Sequence, residues 1–172
     1  MRRLTYAIVG AGALLAAGST MAITTVTTGG GGTLDCSGGA LSQGVIWPPD
    51  HRMVPLTIVG LTTDPALMPV TVMIISIEQD EPVNALGSGN TAPDGTIVNS
   101  GSPSTPSTAY VRAERAGPGT GRIYFITFNA MDGSGNTCPA PVTLQAVVPH
   151  DQAQPLPLVD TGQHWDSTLV PP

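Results

Sequence analysis

The side chains in this sequence that could do chemistry are few and widely spaced. They are Cys36 and Cys138, His51, the acid pair Asp80-Glu81, the run Arg112-Ala-Glu114-Arg115, and His150-Asp151. Carboxylate oxygens brought near one another suit a hard cation such as calcium, which takes about six to eight oxygens at about 2.3–2.6 Å. Two imidazoles would favour zinc or a proton-driven switch instead, because histidine titrates near physiological pH. The arginines stand against both uses, since they can neutralise the acids directly. Ion pairing is therefore the expected use of these groups, with metal affinity weak or absent.

The two cysteines form an even set, which in an exported chain invites a disulfide; two buried thiols are the alternative. Each shares the parity of an apolar face, Cys36 with Leu34 and Cys138 with Val142 and Leu144. A bridge between them would close a loop of roughly a hundred residues, for which chain entropy alone gives about 4.7 kcal/mol. Enzymatic motifs are missing. There is no Gly-x-Ser-x-Gly elbow, no His-Glu-x-x-His and no cysteine pair at zinc-ligand spacing. Gly117-Pro-Gly-Thr-Gly-Arg122 is glycine-rich but lacks the Lys-Ser/Thr ending and the following helix of a phosphate loop. No catalytic residue, cofactor or metal is assigned, and the expectation is a protein that is not an enzyme.

The elements that must position these groups are strands. Gly121–Asn136 alternates, with Tyr124, Ile126, Phe128 and Ala130 on one face and Thr127 and Asn129 on the other. It runs into Asp132-Gly-Ser-Gly-Asn136, which supplies turn chemistry, and then into a second alternating run, Val142 to Val148, so the pair predicts a β-hairpin. Upstream, Thr33–Ser37 opens a first strand, continued in extended form by Val45–Pro49, with Trp47 as a plug over one end of the core. Met53–Leu61 is a second strand. Val70–Ile77 is apolar on both faces from Met73 to Ile75, which suits a central strand. Gln79–Ser107 is a polar excursion in which only Thr96–Val98 could pair. Thr108–Arg115 puts Ala109, Val111 and Ala113 inward, with Tyr110, Arg112 and Glu114 outward. Short strands separated by turn signals predict an all-β antiparallel β-sandwich of about seven strands over residues 33–151.

The ends read differently. Arg2-Arg3, the uncharged run Tyr6–Gly18 and the small residues around Ala22 have the order of a secretory signal over residues 1–22, and the run is too short for a membrane span of about 20 residues. Residues 23–32 form a Thr/Gly-rich spacer. Residues 152–172 are Pro-rich, without periodicity, and are expected to lack fixed structure. The chain has 172 residues, six Lys plus Arg, none of them lysine, and a formal net charge of −6. Nucleic acid is not an expected partner, because phosphate binding needs clustered basic residues.

Several stretches together resemble one family. Cys36-Ser37, Trp47-Pro-Pro-Asp-His51, Arg112-Ala-Glu-Arg115, Arg122-Ile-Tyr124, Asp132-Gly-Ser-Gly-Asn136, Cys138 and Val148-Pro-His-Asp151 are similar to segments of hyalin-repeat (HYR) modules and their bacterial immunoglobulin-like relatives. In bacterial members the corresponding segments read WPPNHK, LRAER, GRVYTITYxAxDxSGN and VPHD. The resemblance implies an immunoglobulin-like sandwich on an extracellular protein, of a kind associated with adhesion. Gly87-Ser-Gly-Asn-Thr91 stands where bacterial relatives often carry an acidic GDGDT, which weakens a cation-binding reading.

In such a sandwich the first and last strands run parallel and alternate loops gather at opposite poles. That tracing places Cys36 and Cys138 at one pole. It places His51, the Glu78–Glu81 exit, Arg115, Arg122 and His150-Asp151 at the other. The candidate polar pole thus comprises His51, Asp80, Glu81, Arg112, Glu114, Arg115, His150 and Asp151, either a binding site or, by the plainer reading, a salt-bridge network that finishes the fold. The functional expectation is a secreted or cell-surface interaction module, with an unknown extracellular protein or envelope component as partner and no stable membrane span in the mature form. A purely structural envelope domain or spacer is the alternative, and a weak calcium-binding module the third reading.

Overall fold

Alternation of branched or aromatic residues with polar ones dictates most of the strands in the computed structural model, which describes residues 32–66 and 68–171. The expected signal segment, and the spacer up to residue 31, lie outside the described residues. In chain order the strands are β1 (Thr33–Asp35), β2 (Ala40–Leu41), β3 (Met53–Val59), β4 (Thr62–Asp64), β5 (Val70–Gln79), β6 (Gly95–Val98), β7 (Thr108–Arg112), β8 (Gly121–Asp132), β9 (Val142–Pro149) and β10 (Trp165–Asp166). No helix occurs among the described residues, and none there is long and apolar enough to cross a membrane.

One four-stranded sheet has the order β10-β5-β8-β9, a second the order β2-β3-β7-β6, and β1 pairs with β4 alone. All these pairings are antiparallel. A single parallel bridge, Val45 with Val147, lays the segment after β2 along β9, and Ile46 N–H donates to the Val147 carbonyl at 2.8 Å. The inward faces of the two larger sheets share one core, giving a sandwich-like arrangement. Ile74, Ile77, Tyr124, Ile126, Phe128, Ala146 and Val148 come from one sheet, and Val54, Leu56, Ala109 and Val111 from the other. Each large side chain so buried contributes about 1.5–3 kcal/mol. Cys36 and Cys138 are bonded to one another, with their Cα atoms 5.8 Å apart.

Four local expectations change. β5 is flanked by strands on both sides only at Glu78 and Gln79, where β10 reaches it; from Val70 to Ser76 it is an edge, and Met73 and Ile75 are exposed. Glu114 is fully buried although strand parity puts it outward, because β7 ends at Arg112 and the alternation ends with it. Ile46 is the fully buried residue of its segment, and Trp47 is only half-buried.

The fourth change concerns residues 152–171, which are not without structure. Leu158 packs on Ile123, Phe125 and Val147 across the outer face of β8 and β9. Ser167, fully buried, donates its N–H to Ile77 of one sheet and accepts from the N–H groups of Asp94 and Gly95 beside the other. The sheet system therefore extends past Asp151. It holds three more strands than the seven expected, β2, β4 and β10, each of two or three residues.

Candidate functional site

The polar pole is built where β5 and β7 end and β8 begins. Position 122 is an inward position at the mouth of the sandwich, so Arg122 enters the gap between the sheets and is fully buried. Its Nε donates to Glu81 Oε2 at 3.0 Å, and its Nη1 donates to Asp94 Oδ2 at 2.7 Å and to the Tyr124 hydroxyl at 3.1 Å. Tyr124 in turn donates to the Arg112 carbonyl at 2.9 Å. Gln79 Nε2 donates to Asp94 Oδ2 and to the Glu81 carbonyl, both at 2.8 Å, and Ala116 N–H donates to Glu81 Oε2 at 2.7 Å. A charge stripped of water is tolerated only when such bonds replace its hydration.

A second layer lies beside the first. Arg112 Nε is 3.6 Å from Asp94 Oδ1 and 3.8 Å from Glu114 Oε2. Its other nitrogens donate to the carbonyls of His51 at 3.1 Å and Pro93 at 2.7 Å. Glu114 Oε2 accepts from Thr91 Oγ1 and lies 3.0 Å from His51 Nδ1. The His51 side chain is 48% exposed, so a buried carboxylate orients an imidazole that still reaches solvent. His51 has φ of +65°, a conformation that costs a non-glycine residue roughly 1–2 kcal/mol. Gly89, with φ of +94°, lies against the imidazole: a Cβ there would stand 2.6 Å from His51 Cε1, so a side chain at this position would be strained and would displace the ring.

Electrostatics follow from burial first. Burial pushes the Asp94 carboxyl above the usual carboxylate range, and the Arg122 and Gln79 bonds oppose it without reversing the direction. Burial also works against the charged form of Arg122, but Tyr124, Asp94 and Glu81 outweigh it, and the guanidinium is held more firmly protonated than usual. Burial raises the Tyr124 phenol. Two guanidinium groups thus face three carboxyl groups, Glu81, Asp94 and Glu114.

The remaining residues of the pole have other partners. Arg115 donates to the His150 carbonyl at 3.0 and 3.2 Å, and His150 Nε2 is 3.1 Å from the Gly117 carbonyl. This ties the end of β9 to the β7–β8 connection without bringing His150 to the partners of His51. Asp151 is exposed, 3.9 Å from His150 Nδ1. Asp80 accepts from Ile123 N–H at 2.7 Å, and its carbonyl accepts from Thr161 Oγ1 at 3.0 Å, so it serves the contact with residues 152–171. Burial raises its carboxyl, and the charges of Glu81 and Asp160 add to the rise. No three His, Cys, Asp or Glu side chains gather as a metal-binding group among the described residues.

Sequence reasoning passed over Asp94, the partner of both arginines. Pro93-Asp94-Gly95 reads as a turn, and nothing local marks its carboxylate as buried; the one available signal is that it is the sole acid between Glu81 and Glu114. Gln79 carried no signal, and Thr91 stood out only as the end of the Gly87–Thr91 stretch. Comparison with protein-family models, curated proteins and solved structures finds no match to this chain.

Proposed function

We propose that the chain is a secreted or cell-surface immunoglobulin-like interaction module of the hyalin-repeat kind, without catalytic activity, which binds a protein or envelope component through the loops of its polar pole. The observation that carries this reading is that the pole's charges are spent on one another. Arg122, Arg112, Glu81, Asp94 and Glu114 hold four chain segments in place, leaving the loop over them as the surface a partner can touch. Rigid scaffolds commonly present binding loops in this way. That loop carries Leu86, 82% exposed, and leans on the half-exposed His51 through Gly89. The Cys36–Cys138 bond agrees with an oxidising compartment.

The test is retention of an envelope component by the immobilised full chain, compared with Leu86→Ser and with Val98→Ser, an exposed apolar residue of β6 as control. Retention lost at least tenfold with Leu86→Ser and kept with Val98→Ser is expected. Equal retention by all three, or none by any, would leave the alternative of a purely structural envelope domain. The calcium-binding reading has less support, since arginines face the carboxylates. Calorimetric titration with calcium, then zinc, is expected to give no tight binding.

A further inference from the structure

An edge strand presents a row of N–H and C=O groups that templates pairing with another chain. β5 is such an edge between Val70 and Ser76, since β10 covers only Glu78 and Gln79 and Ser167 N–H takes the Ile77 carbonyl. Here the bonds of a neighbouring strand are made by side chains from the segment joining β6 to β7. Ile74 N–H donates to Asn99 Oδ1 at 2.8 Å, and Asn99 Nδ2 donates to the Ile74 carbonyl at 2.9 Å. One amide side chain thereby reproduces both bonds of a paired residue. Two residues earlier, Ser107 Oγ donates to the Val72 carbonyl at 2.6 Å. The two ends of the segment are tied together, because Ser100 N–H donates to Ser107 Oγ at 3.3 Å. A register shift between Ile74 and Ser76 bends the edge at the same place.

The surface beside this edge is one that strand addition would bury. Met73 and Ile75 of β5 are 56% and 47% exposed, and Met131 of the neighbouring β8 is 50% exposed. An open cavity of about 430 Å³ lies between Met73, Met131 and Asn99, and no charged residue lines it. Charged side chains, lysine above all, are a common guard of such edges. This chain has no lysine, and Val70–Ile77 has no charge.

We propose that Asn99 and Ser107 form a latch that closes the β5 edge, and that the occupant it excludes is β5 of a second copy of this chain. The edge is its own complement: two uncharged β5 strands pair antiparallel about a two-fold axis, with no like charges opposed. Releasing the latch converts a closed edge into a dimerisation surface that also covers Met73 and Ile75.

The experiment compares the full chain with the double variant Asn99→Ala, Ser107→Ala by light scattering over a hundredfold range of protein concentration. Amide hydrogen exchange is followed at Ile74. The wild type is expected to keep one mass and a protected Ile74 amide. The variant at low concentration should exchange Ile74 at least tenfold faster, and at high concentration it should double in mass and recover the protection. A folded variant, with its disulfide intact, that keeps the wild-type mass throughout would overturn the proposal. So would a wild-type Ile74 amide that exchanges at the rate of an unpaired one. Should the double variant not fold, Asn99→Ala alone is held to the same two readings.

Discussion

Arg122 holds a full charge where no water reaches it, so its worth is set by what its removal would strand. Arg122→Met keeps much of the volume but leaves Glu81 without its cation and Asp94 with only the more distant Arg112, 3.6 Å away. Breaking a buried pair from one side typically costs about 3–5 kcal/mol. A urea-unfolding experiment should show a loss of that size. Adding Asp94→Asn to Arg122→Met should return part of it, since the two residues act as a unit. A loss below about 1 kcal/mol for Arg122→Met would mean that the network is ornamental. At this scale the sequence was legible where charge sits in a recognisable stretch. His51, Arg112 and Glu114 were all nominated, and all three meet. Asp94 was not legible, because its burial depends on Arg122 and Gln79 arriving from β8 and β5, and a proline–aspartate–glycine stretch looks the same whether or not they do.

Among the elements, the β8–β9 hairpin was readable because both of its signals are local: two-residue alternation, and the Asp132–Asn136 turn. Asp132 Oδ1 accepts from Ser134 N–H at 2.8 Å and Asn136 N–H at 2.9 Å, and its Oδ2 from Asn136 Nδ2 at 2.7 Å. The Asn136 amide and these N–H groups hold the Asp132 carboxyl below the usual carboxylate range. A depressed folded value means that the ionised turn stabilises the fold above the unfolded value of about 3.9, and that this contribution disappears as pH falls through the depressed one. Asp132→Asn retains an acceptor but not the charge. The stability gap between wild type and Asp132→Asn should therefore be widest near pH 6 and close toward pH 2, measured as denaturant midpoints across that range. A gap independent of pH would remove the charge from the account. β10 was the opposite case. Trp165 and Asp166 pair with β5 and Ser167 bridges the two sheets, but two residues of strand leave no periodicity to read. The burial of Ile123 and Phe125 went unforeseen for the same reason. β8 was read as having one buried face, and its second is covered by Leu158 and by His164, whose ring stacks on Phe125 at 4.2 Å.

For the whole molecule, the Cys36–Cys138 bond does what no strand does: it fastens the small β1–β4 sheet to the β8–β9 connection across a sequence separation of 102. The two larger sheets share a core of many side chains, whereas β1 contributes one buried residue, Leu34, and β4 none. Removing the bridge as Cys36→Ala, Cys138→Ala should act at two levels. Globally, the unfolded chain regains loop entropy, which for a loop of this length is about 4.7 kcal/mol before strain and residual structure reduce it. Locally, β1 and β4 lose their anchor while β5, β8 and β9 keep theirs. Their amides should then exchange through a low-energy opening of their own, while those at the centre of β8 continue to exchange only with global unfolding. Hydrogen exchange on the double variant separates the two levels. If the amides of β1 and β4 remain as protected, relative to β8, as in the bonded protein, the small sheet is held by its own packing, and the bridge acts on the unfolded chain alone.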